Sequence, residues 1–413
     1  MPQIGSRHKD KFEENAARHS VVLVLIFATI LQFFGLGAAE VQPWDEGLYA
    51  YRAEYIYSGG SATDQTEGAL GGLYSSTYPP LTVWMMSAGF GTFGVNAFSV
   101  RLFSVLCSGA ALALVYLIAR KFLNKEYSLA AALALASALS WQFYSRQGMT
   151  DVPLTCFILL SLYGALTVVD SDDFRKSAAG GLAFAVGLAA ALMTKIVISF
   201  LPILFVVAII ASRPGRIKRN TILFFTAIGL AAAAPWHMMM AARYGMDFLS
   251  AFSVPHVYSA VENNTRASGI LYYANQLISS SPFAVLAIVG SLAYLAFRKR
   301  IISNCSSAER LLKDICFVWF FGGLLIFSLS STKMPHYAVY LLPPGLLIAA
   351  DFVRNARKYF RNGRHLLYIS MMLSCGIVWS FTTAARPELK ANLHDPMYYI
   401  PVALLLVAFA GTV

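Results

Sequence analysis

Apolar runs of about twenty residues recur along the whole chain and constrain its fold more than any other feature of the sequence. A run of about 17–25 apolar residues can cross the hydrocarbon core of a bilayer as an α-helix, which satisfies its own backbone polar groups. We predict transmembrane segments at 20–39, 98–119, 127–144, 152–169, 178–194, 196–212, 221–241, 282–297, 315–331, 335–352, 366–383 and 398–413. The predicted fold class is therefore an all-α polytopic membrane protein with about 12 transmembrane helices.

One apolar stretch, residues 178–212, is too long for a single span. At 1.5 Å per residue it would extend about 52 Å, whereas the hydrocarbon core is about 30 Å thick. A break near Met193, Thr194 and Lys195 divides it into two short spans. This division puts Lys195 at a membrane face.

The distribution of lysine and arginine agrees with the predicted arrangement of transmembrane segments. Only 13% of the residues are charged, against roughly 25% in soluble domains. With the N-terminus in the cytoplasm, 23 of the 32 lysines and arginines fall in inside segments, which is a positive-inside bias. The net charge of +11 therefore gives no support to nucleic-acid binding. We expect a multi-pass membrane protein in contact with membrane lipids.

Two outside segments, 40–97 and 242–281, are too long to be simple turns. Long ordered loops tend to carry function. We expect them to be extracytoplasmic loops of one transmembrane domain covering 1–413. The apolar core of the first span exceeds the usual 7–15 residues or so of a signal peptide, so an uncleaved anchor is expected. The chain ends inside its last apolar run, and a soluble C-terminal domain is not expected.

Two adjacent carboxylates, Asp45 and Glu46, follow the first span directly. Burial beside apolar groups raises the pKa of a carboxyl group, and such a group can act as a general base. The structural alternative is a helix N-terminus, where acidic side chains interact favourably with the helix dipole. Both interpretations are open from position alone.

A second outside turn, residues 145–153, carries Asp151 as its only carboxylate, together with Arg146. Thr150 and Asp151 before Pro153 also suit a helix N-cap with proline in the first turn. Asp151 is therefore either a site residue or part of a cap. Arg146 either pairs with an acid or lies at the membrane interface.

Two lysines lie outside, against the prevailing charge bias. Lys195 is the sole charge of its apolar stretch, and Lys333 occupies a similar position between two spans. Such lysines can simply extend to water along the membrane surface. The functional alternative is a pair of cations that bind a phosphate, helped by hydroxyl or imidazole donors such as those of His336 and Tyr337.

Two further motifs in the long loops contain aromatic or imidazole side chains. His256 lies in the second loop, and no other histidine has the spacing of a metal pair. Tyr78 precedes two prolines at the end of the first loop and indicates a stiff extended element. No particular cofactor is predicted, and a divalent metal stays an open alternative that the spacing of the histidines and of the five cysteines does not support.

A series of short motifs appears in a characteristic order. They are Asp45-Glu46 with Tyr49, Tyr78-Pro79-Pro80-Leu81, Phe93-Gly94, Arg101-Leu102, 146–151, Thr194-Lys195 with Leu201-Pro202, Pro235-Trp236 with Tyr244-Gly245, and 331–337. In these motifs the chain resembles the GT-C type of integral-membrane glycosyltransferases, in the branch of protein O-mannosyltransferases and lipid A aminoarabinose transferases. The likeness covers some three quarters of the chain.

This resemblance implies inverting transfer of a sugar from a polyprenyl-phosphate carrier to a lipid, lipopolysaccharide or other glycan acceptor at the extracytoplasmic face. It implies that Asp45 is the base, that Glu46 and Asp151 support or orient it, and that Lys195 holds the carrier phosphate. The other substrate-binding candidates are Tyr49, Tyr78, Arg146, His256, Lys333, His336 and Tyr337.

The chain differs from the aminoarabinose transferases at two positions, and two alternative functions are open. Aminoarabinose transferases have a basic residue where this chain has Tyr78 and an arginine where it has Leu48, which weakens the case for that sugar and for a bound zinc. Transfer to Ser or Thr of a protein is the alternative within the family. A lipid or solute transporter is the alternative from another class, but transporter sites tend to lie near the bilayer midplane. Here the candidate residues gather at span ends.

Overall fold

A computed structural model describes residues 19–359 of the chain, apart from 213, 254–269, 304 and 331–332. Throughout these residues the secondary structure is helical, without strands. This agrees with the predicted all-α class. His256 and the spans predicted at 366–383 and 398–413 lie outside the described residues.

The helices before the second long loop follow one another closely. They are α1 (His19–Phe33), α2 (Asp45–Tyr57), α3 (Leu73–Ser76), α4 (Leu81–Phe93), α5 (Ala97–Ala119), α6 (Lys125–Ser137), α7 (Leu139–Ser145), α8 (Asp151–Asp170), α9 (Phe174–Leu192), α10 (Leu201–Ala211) and α11 (Arg216–Ser253). Within α11, Gly245 has a positive φ of 53°. This conformation favours glycine and bends the end of the helix.

The remaining described helices follow the second loop. They are α12 (Tyr272–Ser280), α13 (Phe283–Ile302), α14 (Ser307–Phe317), α15 (Gly323–Leu329) and α16 (Leu342–Tyr359). A 3₁₀ segment, Pro335–Leu341, leads into α16, and proline in its first turn fits because that position needs no N–H donor. This short segment carries His336, Tyr337 and Tyr340 towards the start of α8.

Five helical segments of the described residues are long and apolar enough to cross a membrane. They are Ala97–Ala119, Asp151–Asp170, Arg216–Phe248, Ser307–Leu329 and Pro335–Asn355. The protein is thus a membrane protein, but the described residues do not confirm the count of twelve spans. The apolar run at 127–144 is interrupted at Ala138, whose extended backbone (ψ 125°) separates α6 from α7. The division of 178–212 agrees with the prediction, since α9 ends at Leu192 and α10 begins at Leu201.

The centre of the bundle is formed by α8, which packs against α5 and α9. At the crossing of α8 and α9 the backbones nearly touch, because a Cβ on Gly164 would lie 2.5 Å from the carbonyl oxygen of Gly180. Only glycine permits this approach, and small residues at helix crossings are typical of membrane proteins. The tight pair brings the start of α8 next to the turn that follows α9. Asp151 and Lys195 occupy these two places.

The first loop is joined to the bundle through α2 and α4, which pack against each other, while α4 packs on α5. Their shared apolar cluster comprises Tyr49, Ala53, Val83, Met86, Phe90 and Val100. Because α2 begins at Asp45, this packing holds the proposed base close to the same end of the bundle.

Candidate active site

Asp45 is the first residue of α2 and is half-buried. The residue before it, Trp44, has φ 72° and ψ −124° and is 83% exposed. Such a backbone conformation is costly for a residue other than glycine and is often kept near functional sites. Electrostatic interactions join Asp45 to Tyr78, His336 and Tyr337. The carboxylate therefore lies near a cluster of aromatic and imidazole side chains, which we call the pocket.

Asp151 lies at the start of α8 and is completely buried. Its Oδ1 accepts hydrogen bonds from Lys195 Nζ at 3.0 Å and from the hydroxyl of Tyr340. Its Oδ2 has no hydrogen-bond partner among the described residues. The Thr150 side chain makes no capping bond. Burial and ion pairing, rather than capping, therefore define the environment of Asp151.

The Lys195 ammonium is enclosed rather than extended to water. Its side chain is 12% exposed, and its Nζ lies 5.4 Å from the ring centre of Tyr337 and 5.7 Å from that of Tyr340. Burial opposes the charge, but the interactions with Asp151 and with the surrounding tyrosines together outweigh burial, and the pKa of Lys195 lies well above its ordinary value. A lysine that merely reached for water would lack this enclosure. Lys195 is a fixed cation in the pocket.

Tyrosines line the remainder of the pocket. The rings of Tyr49 and Tyr78 meet edge to face, with centroids 6.1 Å apart. Burial raises the pKa of Tyr78 to about 12 and raises the pKa of Tyr49 further. Both hydroxyls therefore stay protonated at neutral pH and can donate hydrogen bonds. His336 is buried beside them, with its ring 4.7 Å from that of Tyr337 and 6.0 Å from that of Tyr144.

Glu46 points elsewhere, although it is adjacent to Asp45. It is 1% exposed and accepts from Arg101 Nε at 2.9 Å, Arg101 Nη2 at 3.0 Å, Gly148 N at 2.6 Å and Gln42 N at 2.7 Å. Consecutive helical residues do not face the same side. The oxygens of Glu46 are therefore occupied by a brace between α2, α5 and the turn before α8. Its role in supporting or orienting Asp45 stays a prediction.

Two other predicted residues bind backbone carbonyl oxygens. Arg146 donates from Nη2 to the carbonyl oxygen of Phe34 at 2.8 Å, at the end of α1. Lys333 donates to the carbonyl oxygen of Ser330 at 2.5 Å. Neither contact reaches the Asp151–Lys195 pair. The structure thus brings together Asp45, Tyr49, Tyr78, Asp151, Lys195, His336 and Tyr337.

Tyr340 belongs to the same pocket and was not predicted. It is buried, donates to Asp151 and packs 6.4 Å from the ring of Tyr337. Its position three residues after Tyr337 was a usable signal, since residues at that spacing share a face of a helical turn.

The pocket combines three chemical functions. Asp45 can accept a proton, Lys195 can neutralise an anion, and the tyrosine hydroxyls can donate to oxygen atoms. Within the described part of the chain, His, Cys, Asp and Glu side chains form no group of three or more that could hold a metal ion. The arrangement suits a reaction in which a hydroxyl loses a proton while an anionic group departs.

Sequence comparisons identify relatives of this chain. A family model described as dolichyl-phosphate-mannose-protein mannosyltransferase matches residues 77–239. An uncharacterised protein of Aquifex aeolicus is 27% identical over 347 residues, covering 81% of this chain and 64% of that protein. The undecaprenyl phosphate-alpha-4-amino-4-deoxy-L-arabinose arabinosyl transferase 1 of Pseudomonas fluorescens Pf0-1 is 26% identical over 339 residues, covering 78% and 56%. The chain thus spans less than two thirds of the length of either relative.

Comparison of structures identifies a shared fold. ArnT from Cupriavidus metallidurans bound to undecaprenyl phosphate superimposes with a TM-score of 0.66 at 19% sequence identity, over 94% of this chain and 69% of that one. The archaeal oligosaccharyltransferase AglB from Archaeoglobus fulgidus, in complex with an inhibitory peptide and a dolichol-phosphate, gives a TM-score of 0.56 at 12% identity. It matches 94% of this chain and 56% of its own. At these identities the likeness establishes the fold alone.

Proposed function

We propose that this chain, which is similar to integral-membrane glycosyltransferases of the GT-C type, transfers a sugar from a polyprenyl-phosphate carrier to a lipid, lipopolysaccharide or other glycan acceptor. The observation that carries the proposal is the buried pair of Asp151 and Lys195, which Tyr337 and Tyr340 enclose. A carrier that is itself a lipid fits a pocket at the end of membrane-spanning helices.

In the proposed reaction, an acceptor hydroxyl oxygen forms a bond to the anomeric carbon of the donor sugar. The bond between that carbon and the phosphate oxygen breaks, and its electron pair leaves with the polyprenyl phosphate. Asp45 takes the proton of the attacking hydroxyl, because a neutral hydroxyl is a weak nucleophile. Attack opposite the leaving group inverts the anomeric carbon.

Lys195 stabilises the negative charge that grows on the departing phosphate. A cation fixed in place before the reaction needs no reorganisation in the transition state. Asp151 fixes this ammonium in place, because its Oδ1 accepts a hydrogen bond from Lys195 Nζ. Tyr78, Tyr337 and His336 border the same space and supply donors for phosphate or sugar oxygens.

The proposed setting is the bacterial inner membrane, with the N-terminus in the cytoplasm, the pocket outside and a single transmembrane domain. The excess of basic residues in the segments assigned inside supports this orientation. The ionisable side chains of the pocket lie at the ends of α2, α8 and α9. A transporter would instead be expected to hold its substrate near the bilayer midplane.

The test is a transfer assay with the purified protein in lipid nanodiscs, a panel of undecaprenyl-phosphate sugars, and acceptors that include lipid A, glycans and a Ser/Thr peptide. Products are detected by mass spectrometry. We expect transfer to a glycolipid or glycan acceptor. Transfer to the peptide alone would indicate the protein-modifying branch of the family, and no transfer from any carrier would contradict the proposal.

Asp45→Asn is expected to reduce turnover by about a hundredfold or more, since general-base catalysis typically contributes 10²–10⁴-fold. The folded protein should survive, because Asp45 forms no ion pair among the described side chains. Glu54→Gln is the matched control, because Glu54 is an exposed carboxylate on the same helix. Wild-type turnover in Asp45→Asn would rule out this carboxylate as the base.

A further inference from the structure

A second buried cation, Arg52, lies in α2, the same helix as the proposed base. Arg52 follows Asp45 by seven residues in α2 and is 1% exposed, which makes it one of the largest fully buried side chains. Among the described residues it has no carboxylate partner. Burial lowers the pKa of Arg52 to about 10, so the guanidinium remains charged at neutral pH.

The three nitrogens of Arg52 bind three oxygens in different places. Nε donates to Oε1 of Gln65 at 2.9 Å, Nη1 to the carbonyl oxygen of Ser75 at 3.2 Å, and Nη2 to the carbonyl oxygen of Tyr78 at 2.9 Å. Burying a charged group without a counter-ion is unfavourable. The planar fork of arginine can satisfy several acceptors at once, which the single ammonium of lysine cannot do with the same geometry.

Residues 78–81 form a strut that is fastened at both ends. At one end, Arg52 binds the carbonyl oxygen of Tyr78. At the other end, the amide of Leu81 donates to the carbonyl oxygen of Met193 at 2.9 Å, two residues before Lys195. Pro79 and Pro80 stiffen the segment between them, because each proline fixes its φ angle. The strut thus connects the helix of Asp45 with the turn of Lys195.

The strut also carries a residue of the pocket itself. The Tyr78 ring packs against Tyr49 and interacts electrostatically with Lys195 and Asp45. A shift of the strut would therefore move Tyr78 and alter the separation of the proposed base from the proposed phosphate-binding cation. Misplacement by about 1 Å of groups that act together can lower a rate about a hundredfold.

We propose that Arg52 is a positioning residue, which sets the distance between Asp45 and Lys195 by holding the strut of residues 78–81. The effect of Arg52 on the rate of sugar transfer rests on the proposed function. Its structural part, the fastening of the strut by a three-way guanidinium contact, does not depend on that function. Arg52 touches neither substrate nor the reacting atoms.

The experiment compares Arg52→Lys and Arg52→Gln with Arg243→Gln in nanodiscs. Arg243 is the matched control, because it also binds the first loop, through Asp64, but is 61% exposed and does not touch the strut. Amide hydrogen exchange of the peptides covering 78–86 and 190–197 is measured in the protein without ligand. We expect faster exchange of these peptides in both Arg52 variants and wild-type exchange in Arg243→Gln.

Steady-state transfer is then measured per folded molecule. We expect kcat to fall on the order of ten- to a hundredfold in both Arg52 variants, with the donor KM changed less than about threefold, because Lys195 still binds phosphate. Full recovery of kcat in Arg52→Lys would show that charge alone matters and would overturn the proposal. Unchanged exchange in the strut peptides would overturn it as well.

These measurements distinguish a failure of the proposed function from a failure of the positioning role of Arg52. If the wild-type protein transfers no sugar, the proposed function is wrong, and the exchange data alone decide whether Arg52 fastens the strut. If the wild type is active and exchange accelerates without a fall in kcat, Arg52 merely stabilises the loop, and the positioning role is wrong.

Discussion

At the scale of single residues, the pocket depends on a buried pair in which neither partner is stable alone. Asp151 is fully buried and Lys195 nearly so, and each is the nearest opposite charge of the other. Removing one partner of a buried ion pair leaves an unpaired charge and typically destabilises a protein by about 3–5 kcal/mol. Replacing both partners can be nearly neutral. Stability and donor binding should therefore respond differently to single and double substitutions.

Lys195→Met is predicted to lower the free energy of unfolding by several kcal/mol and to abolish binding of undecaprenyl phosphate. The double variant Asp151→Asn with Lys195→Met should recover most of the stability but none of the binding. Thermal unfolding in detergent and a lipid-binding assay measure the two effects. Lys121→Met serves as a control, because its pair with Asp170 is partly exposed and contributes only about 0–1 kcal/mol. Wild-type stability in Lys195→Met would contradict this account of the pair.

Some residues of the site could be predicted from the sequence, and others could not. Asp45, Asp151 and Lys195 could be found because each is a charge in apolar surroundings on the side with few charges. The orientation of Glu46 could not, because its partner Arg101 follows 55 residues later and adjacency to Asp45 suggested a shared role. Tyr340 follows Tyr337 by three residues, and this spacing is the one signal in the sequence that could have indicated its place in the pocket. The three contacts of Arg52 could not be predicted either, because their oxygen atoms belong to residues that follow it by 13, 23 and 26 positions.

At the scale of elements, the first loop is clasped against α11. Asp64 accepts from the Tyr244 hydroxyl at 2.7 Å and from Arg243 Nη1 at 2.8 Å, and its other oxygen accepts from Thr66. Trp236 Nε1 donates to the carbonyl oxygen of Thr63 at 2.8 Å. We call Asp64, Arg243 and Tyr244 the clasp. It joins the first loop to the helix that leads into the second.

The clasp is predicted to open in acid. Burial alone would raise the pKa of Asp64, but hydrogen bonds from Tyr244 and Thr66 outweigh burial and lower it below its ordinary value. A carboxyl group whose pKa is lowered by folding stabilises the folded state fully when the pH is above its ordinary pKa of about 3.9. This contribution is lost as the pH falls through the pKa that the group has in the folded protein. Between pH 8 and about pH 4 the loop should therefore stay docked.

Pepsin cleavage within residues 58–72 measures the opening, because pepsin is active in this acidic range. Asp64→Asn lacks the titrating group and should be cut readily throughout. The cleavage rate of the wild type, divided by that of Asp64→Asn at the same pH, should rise towards one as the pH falls from about 5 to about 2. A ratio that does not change with pH would show that the clasp does not depend on the charge of Asp64.

Breaks in helices were predicted only where length required them. The interruption between α9 and α10 followed from a run too long for the bilayer. The interruption at Ala138 did not, since its neighbours are good helix formers and no Gly or Pro marks the site. Tertiary packing of α7, which contacts the 3₁₀ segment Pro335–Leu341, overrides local propensity there.

At the scale of the whole molecule, the proposed orientation separates two sets of charges. The buried Asp151–Lys195 pair lies at one end of the bundle, while the pairs of Lys121 with Asp170 and of Lys218 with Asp172 lie at the opposite ends of the same helices. Orientation in the membrane therefore decides on which side of the bilayer the pocket opens.

Single cysteines in a cysteine-free variant are predicted to distinguish the two ends. Ala62→Cys, in the first loop, should react with a membrane-impermeant maleimide in intact spheroplasts. Asp172→Cys, in the turn between α8 and α9, should react only after permeabilisation, because the positive-inside bias assigns that turn to the cytoplasm. Both positions are exposed in the structure, so access to the side chain does not limit labelling. The reverse pattern would contradict the proposed orientation.

The three partners at the start of α8 are separated widely along the chain, and this separation has a consequence in time. Lys195 follows Asp151 by 44 residues, whereas Tyr340 follows it by 189. At roughly 5–20 residues per second of synthesis, the lysine is made about 2–9 s after the carboxylate, and the tyrosine about 9–38 s after it. The carboxylate of Asp151 can be neutralised early, but its complete surroundings exist only once the ribosome has passed Tyr340. A nascent chain thus carries the pocket unfinished through most of its synthesis.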